Sequence, residues 1–265
     1  MFRDKRPPIS LESDQAVDRL YDYYGKKDPN ALFMRFMFHP AMAALYRSKV
    51  AFEGDSEALI GDHLASGRRL LVPVKHTSMH DPTVLAGAIL RKKALRPMIA
   101  KTVAPGKADL FGLPMVGWIV SNSGAYPVMR RKDFDKLDPQ AGSPDELEAR
   151  KRKAGSKVVD ISIEKFNRGF NVVIFPEGKR HQGDAAATKL LDLRGGAGRI
   201  ACGIDSPEDA LIVCGAVNYE KGSFRPSVAL GYPMAVAETP EEVMADIGVS
   251  LQACAEMALE LSLSR

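Results

Sequence analysis

The chain has 265 residues, of which 45% are hydrophobic and 26% are charged, a composition that excludes a disordered protein and allows one large core or two small ones. Its 37 basic and 33 acidic side chains leave a net charge of +4, too small and too scattered to indicate nucleic-acid binding. Such a surplus would suffice for an anionic membrane surface or a phosphorylated substrate. The 3 cysteines lack CxxC spacing, which argues against a disulfide framework or a zinc knuckle and indicates a reducing cytoplasm.

The first fifty residues are expected to be helical. Behind the basic N-terminus there is no apolar stretch that could serve as a signal peptide, so nothing there directs secretion. An acidic segment from about Leu11 to Tyr24 precedes a turn and then a stretch rich in Phe and Met, which Arg35 interrupts and Arg47 follows. Two interpretations stay open for this stretch: a helix in the interface of a bilayer, or a helix packed on its own domain. We treat residues 1–49 as an N-terminal helical segment and a candidate for membrane contact.

From Val50 onward, short apolar runs alternate with longer amphipathic ones, which predicts an α/β domain over residues 50–265 with a mixed, largely parallel sheet flanked by helices. The last helix should run from about Pro240 to Leu263. Residues 138–157 are polar and contain four consecutive basic residues, so we expect an exposed insertion. The uncharged run Leu110–Met129 contains prolines and glycines and is predicted to be loop and strand, with its Trp118 packed in the core.

A histidine and an aspartate form the first candidate constellation. The apolar run RLLVPV is followed at once by KHTSMHDP, so His76 lies just past a strand and Asp81 just before a helix that opens with Pro82. One imidazole nitrogen could be held by the carboxylate, which leaves the other free to take a proton. The aspartate would fix the tautomer and stabilise the imidazolium, as in serine hydrolases, while the nucleophile comes from the substrate.

Two other interpretations of these residues compete. Asp81 could be no more than the N-cap of the helix, because Asp before Pro is a common helix start. His76 and His80 are four residues apart, the spacing at which a helix presents two metal ligands, but Pro82 indicates that the helix begins after both. We therefore expect no metal site.

The second constellation is FPEGKRH, where a buried strand is broken by Pro176 and Glu177, Gly178 and Arg180 follow. Such a turn concentrates backbone amides and charges at a strand terminus. If it faces the same sheet edge as His76, it could hold an anion or a developing oxyanion. Taken alone, the sequence PEG is an ordinary turn.

These two constellations, in this order, resemble the glycerolipid acyltransferase family, whose bacterial type member acylates 1-acyl-glycerol 3-phosphate. His76, Ser78 and Asp81 match the family's H-x-S-x-x-D form of its His-four-residues-Asp motif, while Lys75 replaces the Asn that commonly precedes the histidine. FPEGKR is similar to the family's FPEG motif, with Lys179 in place of a small hydroxyl residue.

Weaker similarities extend the resemblance from about Val50 to Val236. The segment GAYPVMR, with Gly124, Pro127 and Arg130, looks like the family's second motif, a Gly followed six residues later by Arg. LIVCGAV corresponds loosely to a fourth motif, but its proline is missing. The pair at Ala100 and Lys101, the segment LDLRGGAGRIA and the closing VALGYP also resemble family stretches.

The resemblance implies a glycerol-3-phosphate acyltransferase-like fold and an O-acyltransferase of phospholipid biosynthesis. His76 would remove the proton of an acceptor hydroxyl as it attacks a thioester, with Asp81 orienting it. Lys101, Arg130 and Arg180 are then candidates for the acceptor phosphate, because Arg offers a bidentate fork and Lys a point charge.

Further expectations follow for the substrates and the location. Glu177 would bind an acceptor hydroxyl, position Arg130 or close its own turn, and amides near Gly178 or another donor close to His76 would meet the oxyanion. The donor would be acyl-CoA or acyl carrier protein, the acceptor a lysophospholipid or related polar lipid, with no other cofactor. The protein would act peripherally on the cytoplasmic face of a membrane.

Two functions from other classes compete with acyl transfer. One is a non-catalytic lipid-binding protein that keeps the same fold, which the presence of both His76 and Asp81 disfavours. The other is a metal-dependent hydrolase that uses His76, His80 and Asp81.

Overall fold

The computed structural model of the chain describes residues 7, 9, 13–129, 133, 143–181, 187–219 and 225–264. Its helices are α1 (Asp14–Lys26), α2 (Ala31–Phe33 continued by a π-helical stretch Met34–Phe38 and by His39–Leu45), α3 (Ser56–Ala65), α4 (Asp81–Arg91), α5 (Ala108–Gly112), α6 (Pro114–Asn122), α7 (Pro144–Asn167), α8 (Gly196–Cys202) and α9 (Pro240–Leu263). Its strands are β1 (Lys49–Phe52), β2 (Arg69–Pro73), β3 (Thr102–Lys107), β4 (Ala125–Val128), β5 (Asn171–Ile174), β6 (Ala210–Ile212), β7 (Gly215–Asn218) and β8 (Ser227–Leu230). Short 3₁₀ helices lie at Lys93–Met98 and Pro207–Asp209.

Two sheets form the centre of the molecule. The larger has five strands in the order β4-β3-β5-β2-β6, all parallel to their neighbours, and the smaller has three in the order β1-β8-β7. In the smaller sheet β1 and β8 are parallel, while β7 and β8 are antiparallel. An isolated bridge between Val74 and Gly215 joins the sheets. The predicted α/β class with a largely parallel sheet flanked by helices is confirmed.

The central strands are buried on both faces, which explains why they read as continuous apolar runs rather than alternating ones. Along β2 and β5, successive side chains enter opposite cores. Leu71, with Val172 and Ile174, packs into the core beneath α1, α7, α8 and α9. Leu70, with Val72 and Val173, packs into the core beneath α3 and α4.

Helix α2 packs closely against α4. The imidazole of His39 is buried, and its Nδ1 lies 2.7 Å from the carbonyl oxygen of Ala86. A Cβ on Gly87 would lie 2.8 Å from the carbonyl oxygen of Met42, so glycine permits the close approach of the two helices. The other side of α2 is turned to solvent, with Phe36 68% and Met37 62% exposed. The packed face agrees with the interpretation of a helix packed on its own domain, and the exposed apolar face leaves contact with a bilayer as a prediction.

The expected insertion at 138–157 is helical from residue 144 onward; residues 138–142 lie outside the described residues. A capping box between Ser143 and Glu146 starts α7, and the basic run falls within its first turns. Two side chains of this run form ion pairs with α1: Arg150 Nε lies 3.2 Å from Asp14 Oδ1, and Lys153 Nζ lies 2.8 Å from Asp18 Oδ2. The run therefore helps to dock α1 on α7.

Other expectations need correction. The run Leu110–Met129 contains the end of α5, helix α6 and then β4, because Pro114 begins a helix here rather than breaking one. Trp118 is 43% exposed on α6 instead of packed in the core. Among the described residues, no helix combines the length and the apolar character that crossing a membrane requires.

Gly124 provides a test of the turn before β4. Its φ is +88°, and a Cβ there would lie 2.7 Å from Pro29 Cγ and 2.8 Å from the carbonyl oxygen of Thr102. Gly124→Ala should lower the free energy of unfolding by at least about 1–2 kcal/mol, because L-residues are strained at positive φ. Urea denaturation measures this.

The matched control is Gly155→Ala, within α7, where an added Cβ meets nothing within 4 Å. It should raise stability by about 0.5–1 kcal/mol through helix propensity. Equal effects of the two substitutions would contradict this account of Gly124.

Candidate active site

Two loops meet at the carboxyl edge of the large sheet. β2 leads into residues 74–80, and β5 leads into residues 175–181; the two strands are parallel neighbours with Pro73 in register with Ile174. Ligands of open α/β sheets bind outside this edge. The predicted proximity of the two constellations is confirmed: His181 N donates to the carbonyl oxygen of His76 at 2.8 Å, and the His76 ring lies 4.4 Å from that of Phe175.

The imidazole and the carboxylate are in hydrogen-bonding contact. His76 Nδ1 lies 2.9 Å from Asp81 Oδ2, and the backbone amides of Thr77 and Ser78 donate to the same oxygen at 2.8 and 2.9 Å. Because Oδ2 accepts from these amides, we assign Nδ1 as the protonated nitrogen. Nε2 is then the nitrogen with a free lone pair, on a side chain that keeps 20% of its surface exposed.

Asp81 does not serve as a helix cap. The helix begins at Asp81 itself, with His80 in the N-cap position, and the Asp81 carboxylate is directed back at the preceding loop. The carboxylate is completely buried. A buried carboxylate requires several donors, and the loop from His76 to Asp81 wraps around this one to supply them.

Glu177 ties three segments together. Its side chain is buried; Oε2 accepts the amide of His76 at 2.8 Å, and Oε1 accepts the amide of Leu191 at 2.9 Å. The sequence allows three roles for Glu177: binding an acceptor hydroxyl, positioning Arg130 or closing its own turn through backbone amides. In the structure it does accept backbone amides, but those of His76 and Leu191 rather than those of its own turn. Glu177 consequently fixes the backbone of His76.

The turn at Gly178 is shaped by a left-handed residue and covered by an arginine. Gly178 has φ +64°, and a Cβ there would lie 2.7 Å from Arg194 Nε. The Gly178 amide donates to the carbonyl oxygen of Phe175 at 3.0 Å, so it is engaged in its own turn. This weakens the expectation that this amide meets an oxyanion.

Lys75 is buried next to the two carboxylates. Only 1% of it is exposed. Burial lowers the pKa of Lys75, and the carboxylates of Glu177 and Asp81 oppose that shift. Where the family commonly has Asn, this chain thus has a lysine whose side chain is buried behind the His76 loop rather than exposed at its surface.

The three predicted phosphate-binding cations fall in different places. Lys101 precedes β3 and therefore lies at the amino edge of the sheet, about 20 Å from the carboxyl edge by the length of a six-residue strand. Its carbonyl oxygen instead accepts the amide of Asn171 at the start of β5. Its assignment to the site is wrong, because the strand follows Lys101 rather than preceding it. Arg180 is exposed just after the Glu177 turn, and Arg130 lies outside the described residues.

The metal-binding alternative gains no support from the described residues. His80 Nδ1 lies 3.0 Å from Tyr46 Oη, at the end of α2. Within the described part of the chain, no three His, Cys, Asp or Glu side chains are grouped so that they could hold a metal ion.

Sequence reasoning missed Tyr219, which follows β7 and donates its hydroxyl to Asp81 Oδ1 at 2.7 Å. No local signal marks it, since it is one tyrosine after a short apolar run. Arg194 was also missed, although it belongs to LDLRGGAGRIA, a segment noted for its resemblance.

A family model described as Acyltransferase matches residues 58–214, more than half of the chain. The matched region contains both loops of the site. No curated protein matches the chain.

Glu177→Gln tests the junction of the three segments. A carboxamide offers one accepting oxygen, so one of the two amides would be left buried without a partner, and the free energy of unfolding should fall by about 1–3 kcal/mol. Thermal or urea denaturation measures the loss. The exposed Glu260→Gln on α9 is the control, and a Glu177→Gln variant as stable as that control would contradict the role.

Proposed function

Because the chain belongs to the Acyltransferase family, we propose that it transfers a fatty acyl group from acyl-CoA or acyl carrier protein to a hydroxyl of a lysophospholipid or related polar lipid. The observation that carries the proposal is the contact of His76 Nδ1 with the buried carboxylate of Asp81 at 2.9 Å. This contact leaves Nε2 as a base at the sheet edge where ligands of such folds bind.

His76 Nε2 removes the proton of the acceptor hydroxyl as its oxygen attacks the thioester carbonyl carbon. The positive charge that develops on the ring is stabilised by Asp81, whose carboxylate stays in place through its amide donors. Collapse of the tetrahedral intermediate breaks the C–S bond, and the proton held on Nε2 is available to the departing thiolate. The ester product and a free thiol result.

The acceptor headgroup is proposed to lie along the same edge of the sheet. Arg180 is exposed beside the Glu177 turn and suits a phosphate. Arg130 keeps the phosphate-binding role that its motif implies. We assign Gly178 to shaping the turn that borders the acceptor and Glu177 to holding the backbone of His76, rather than either residue to direct contact.

We propose further that the lipid acceptor is taken from a membrane at the cytoplasmic face. Two helices offer an apolar face: α2 exposes Leu32, Phe36 and Met37, and α6 exposes Met115 and Trp118. The helices meet where the ring of Phe33 lies 5.1 Å from that of Trp118 and where Asn30 N donates to the carbonyl oxygen of Asn122.

Charge and position favour a bilayer as the occupant of this face. Residues 29–52 contain Arg35, Arg47 and Lys49 and no acidic residue, which suits anionic lipids. The end of α2 reaches the catalytic loop through the Tyr46–His80 contact. Beside it, Met79 is 65% exposed, so an apolar surface continues to the site.

His76→Ala should lower kcat by about 10²–10⁴, the usual contribution of a general base, and leave the fold intact. Mass spectrometry of products from a panel of lysolipids with acyl-CoA and acyl carrier protein donors measures the loss and identifies the substrates. Full acyl transfer by His76→Ala would refute the assignment.

His80→Ala is the matched control. It should keep most of the activity, also in the presence of a chelator, whereas a hydrolase with His80 as a metal ligand would lose it. A wild-type protein that binds lysolipids but forms no product would favour the non-catalytic lipid-binding alternative.

The double substitution of Phe36 and Met37 by Glu should weaken binding to phosphatidylglycerol vesicles at least about tenfold, because two large side chains lose their burial in the bilayer. Vesicle sedimentation measures the partition coefficient. The control is Val249→Glu on α9, which is 75% exposed and outside both helices. Equal binding by the two variants would show that the membrane contact lies on another surface.

A further inference from the structure

The Asp81 carboxylate is held from two directions. Oδ2 receives the donors of its own loop, whereas Oδ1 receives the Tyr219 hydroxyl at 2.7 Å. Tyr219 immediately follows β7, a strand of the smaller sheet. The Asp81 side chain is completely buried, so Oδ1 needs hydrogen-bond donors from the protein, and the Tyr219 hydroxyl is one of them.

β7 runs beside the whole catalytic loop. Lys75 N donates to the carbonyl oxygen of Gly215 at 3.0 Å, and Thr77 Oγ1 donates to the carbonyl oxygen of Val217 at 3.3 Å. Tyr219 continues this series two residues further on. The strand thus supports the loop at its start, its middle and, through Tyr219, at its carboxylate.

We propose that Tyr219 is a positioning residue for the reaction, which holds Asp81 Oδ1 and so limits how strongly Asp81 binds the proton on His76. The inference rests on the proposed acyl-transfer function. A hydroxyl that donates to a carboxylate withdraws part of its negative charge, and His76 then releases its proton more readily.

The Tyr219 hydroxyl is suited to act as a permanent donor. Burial, together with the negative charge of Asp81, raises the pKa of Tyr219. The group therefore stays protonated over the pH range in which the enzyme would work. Its ring is only half-buried, so replacement by Phe removes one oxygen and keeps the packing.

Tyr219→Phe should lower kcat/KM by about 10- to 100-fold, the effect of losing one hydrogen bond to a charged group. The acid limb of the kcat/KM profile should also move to higher pH, because Asp81 then holds the His76 proton more tightly. The assay uses palmitoyl-CoA with 1-acyl-glycerol 3-phosphate, or with whichever panel acceptor the wild type acylates.

A double-mutant cycle separates positioning from a general structural role. Since Tyr219 acts through Asp81, Tyr219→Phe should change kcat/KM by less than about twofold in an Asp81→Asn background. The control is Tyr24→Phe, which removes a buried hydroxyl 3.2 Å from Ser121 Oγ and should leave the acid limb in place.

The inference is overturned if Tyr219→Phe keeps the wild-type kcat/KM and acid limb. It is also overturned if Tyr219→Phe lowers kcat/KM by the same factor in the Asp81→Asn background as in the wild type. NMR titration of the histidine ring in wild type and Tyr219→Phe gives a readout that needs no turnover. An unchanged His76 titration there would also overturn it. A wild type that acylates no acceptor would instead refute the proposed function, while the titration still decides whether Tyr219 controls the pair.

Discussion

The parallel pairing of β2 and β5 is the constraint on which the site depends. Each strand ends in a loop that carries part of the candidate site, and register between Pro73 and Ile174 brings both loops to one edge. Glu177 then connects them by accepting the amide of His76. A shift of one strand by one residue would turn the side chains of that strand to the opposite core and displace its loop by about 3.3 Å relative to the other.

The Asp81 carboxylate makes several contacts of the candidate site at once. It orients the imidazole, closes its own loop through two amides and receives the hydroxyl of Tyr219 from a second sheet. Each contact uses a fixed direction from the oxygen, so the carboxylate has little freedom to move. The buried side chain of Lys75 interacts electrostatically with both Asp81 and Glu177, whose charges oppose the lowering of its pKa by burial. Such preorganisation would let the proposed base, His76, act without rearrangement of its surroundings.

Much of this arrangement was accessible from sequence. Strand-then-turn patterns placed His76 and Glu177 at strand ends, and parallel strands share a carboxyl edge, so their meeting could be predicted. Lys101 was misplaced because the strand after it contains Pro105 and Gly106, which hide the apolar run that would have marked it. Trp118 and Tyr219 could not be placed, because their surroundings depend on how α6 packs on α2 and how the second sheet joins the first.

The small sheet also constrains how the chain acquires its structure. β1, near the start of the α/β region, pairs with β8, in register between Lys49 and Ser227, so most of the chain must be synthesised before β1 finds its partner. Contacts this distant in sequence are slow to form. Until then β1 presents an unpaired edge that could recruit other chains. A truncated product that ends before β8 would therefore be prone to aggregation during expression, even though it retains both loops of the candidate site.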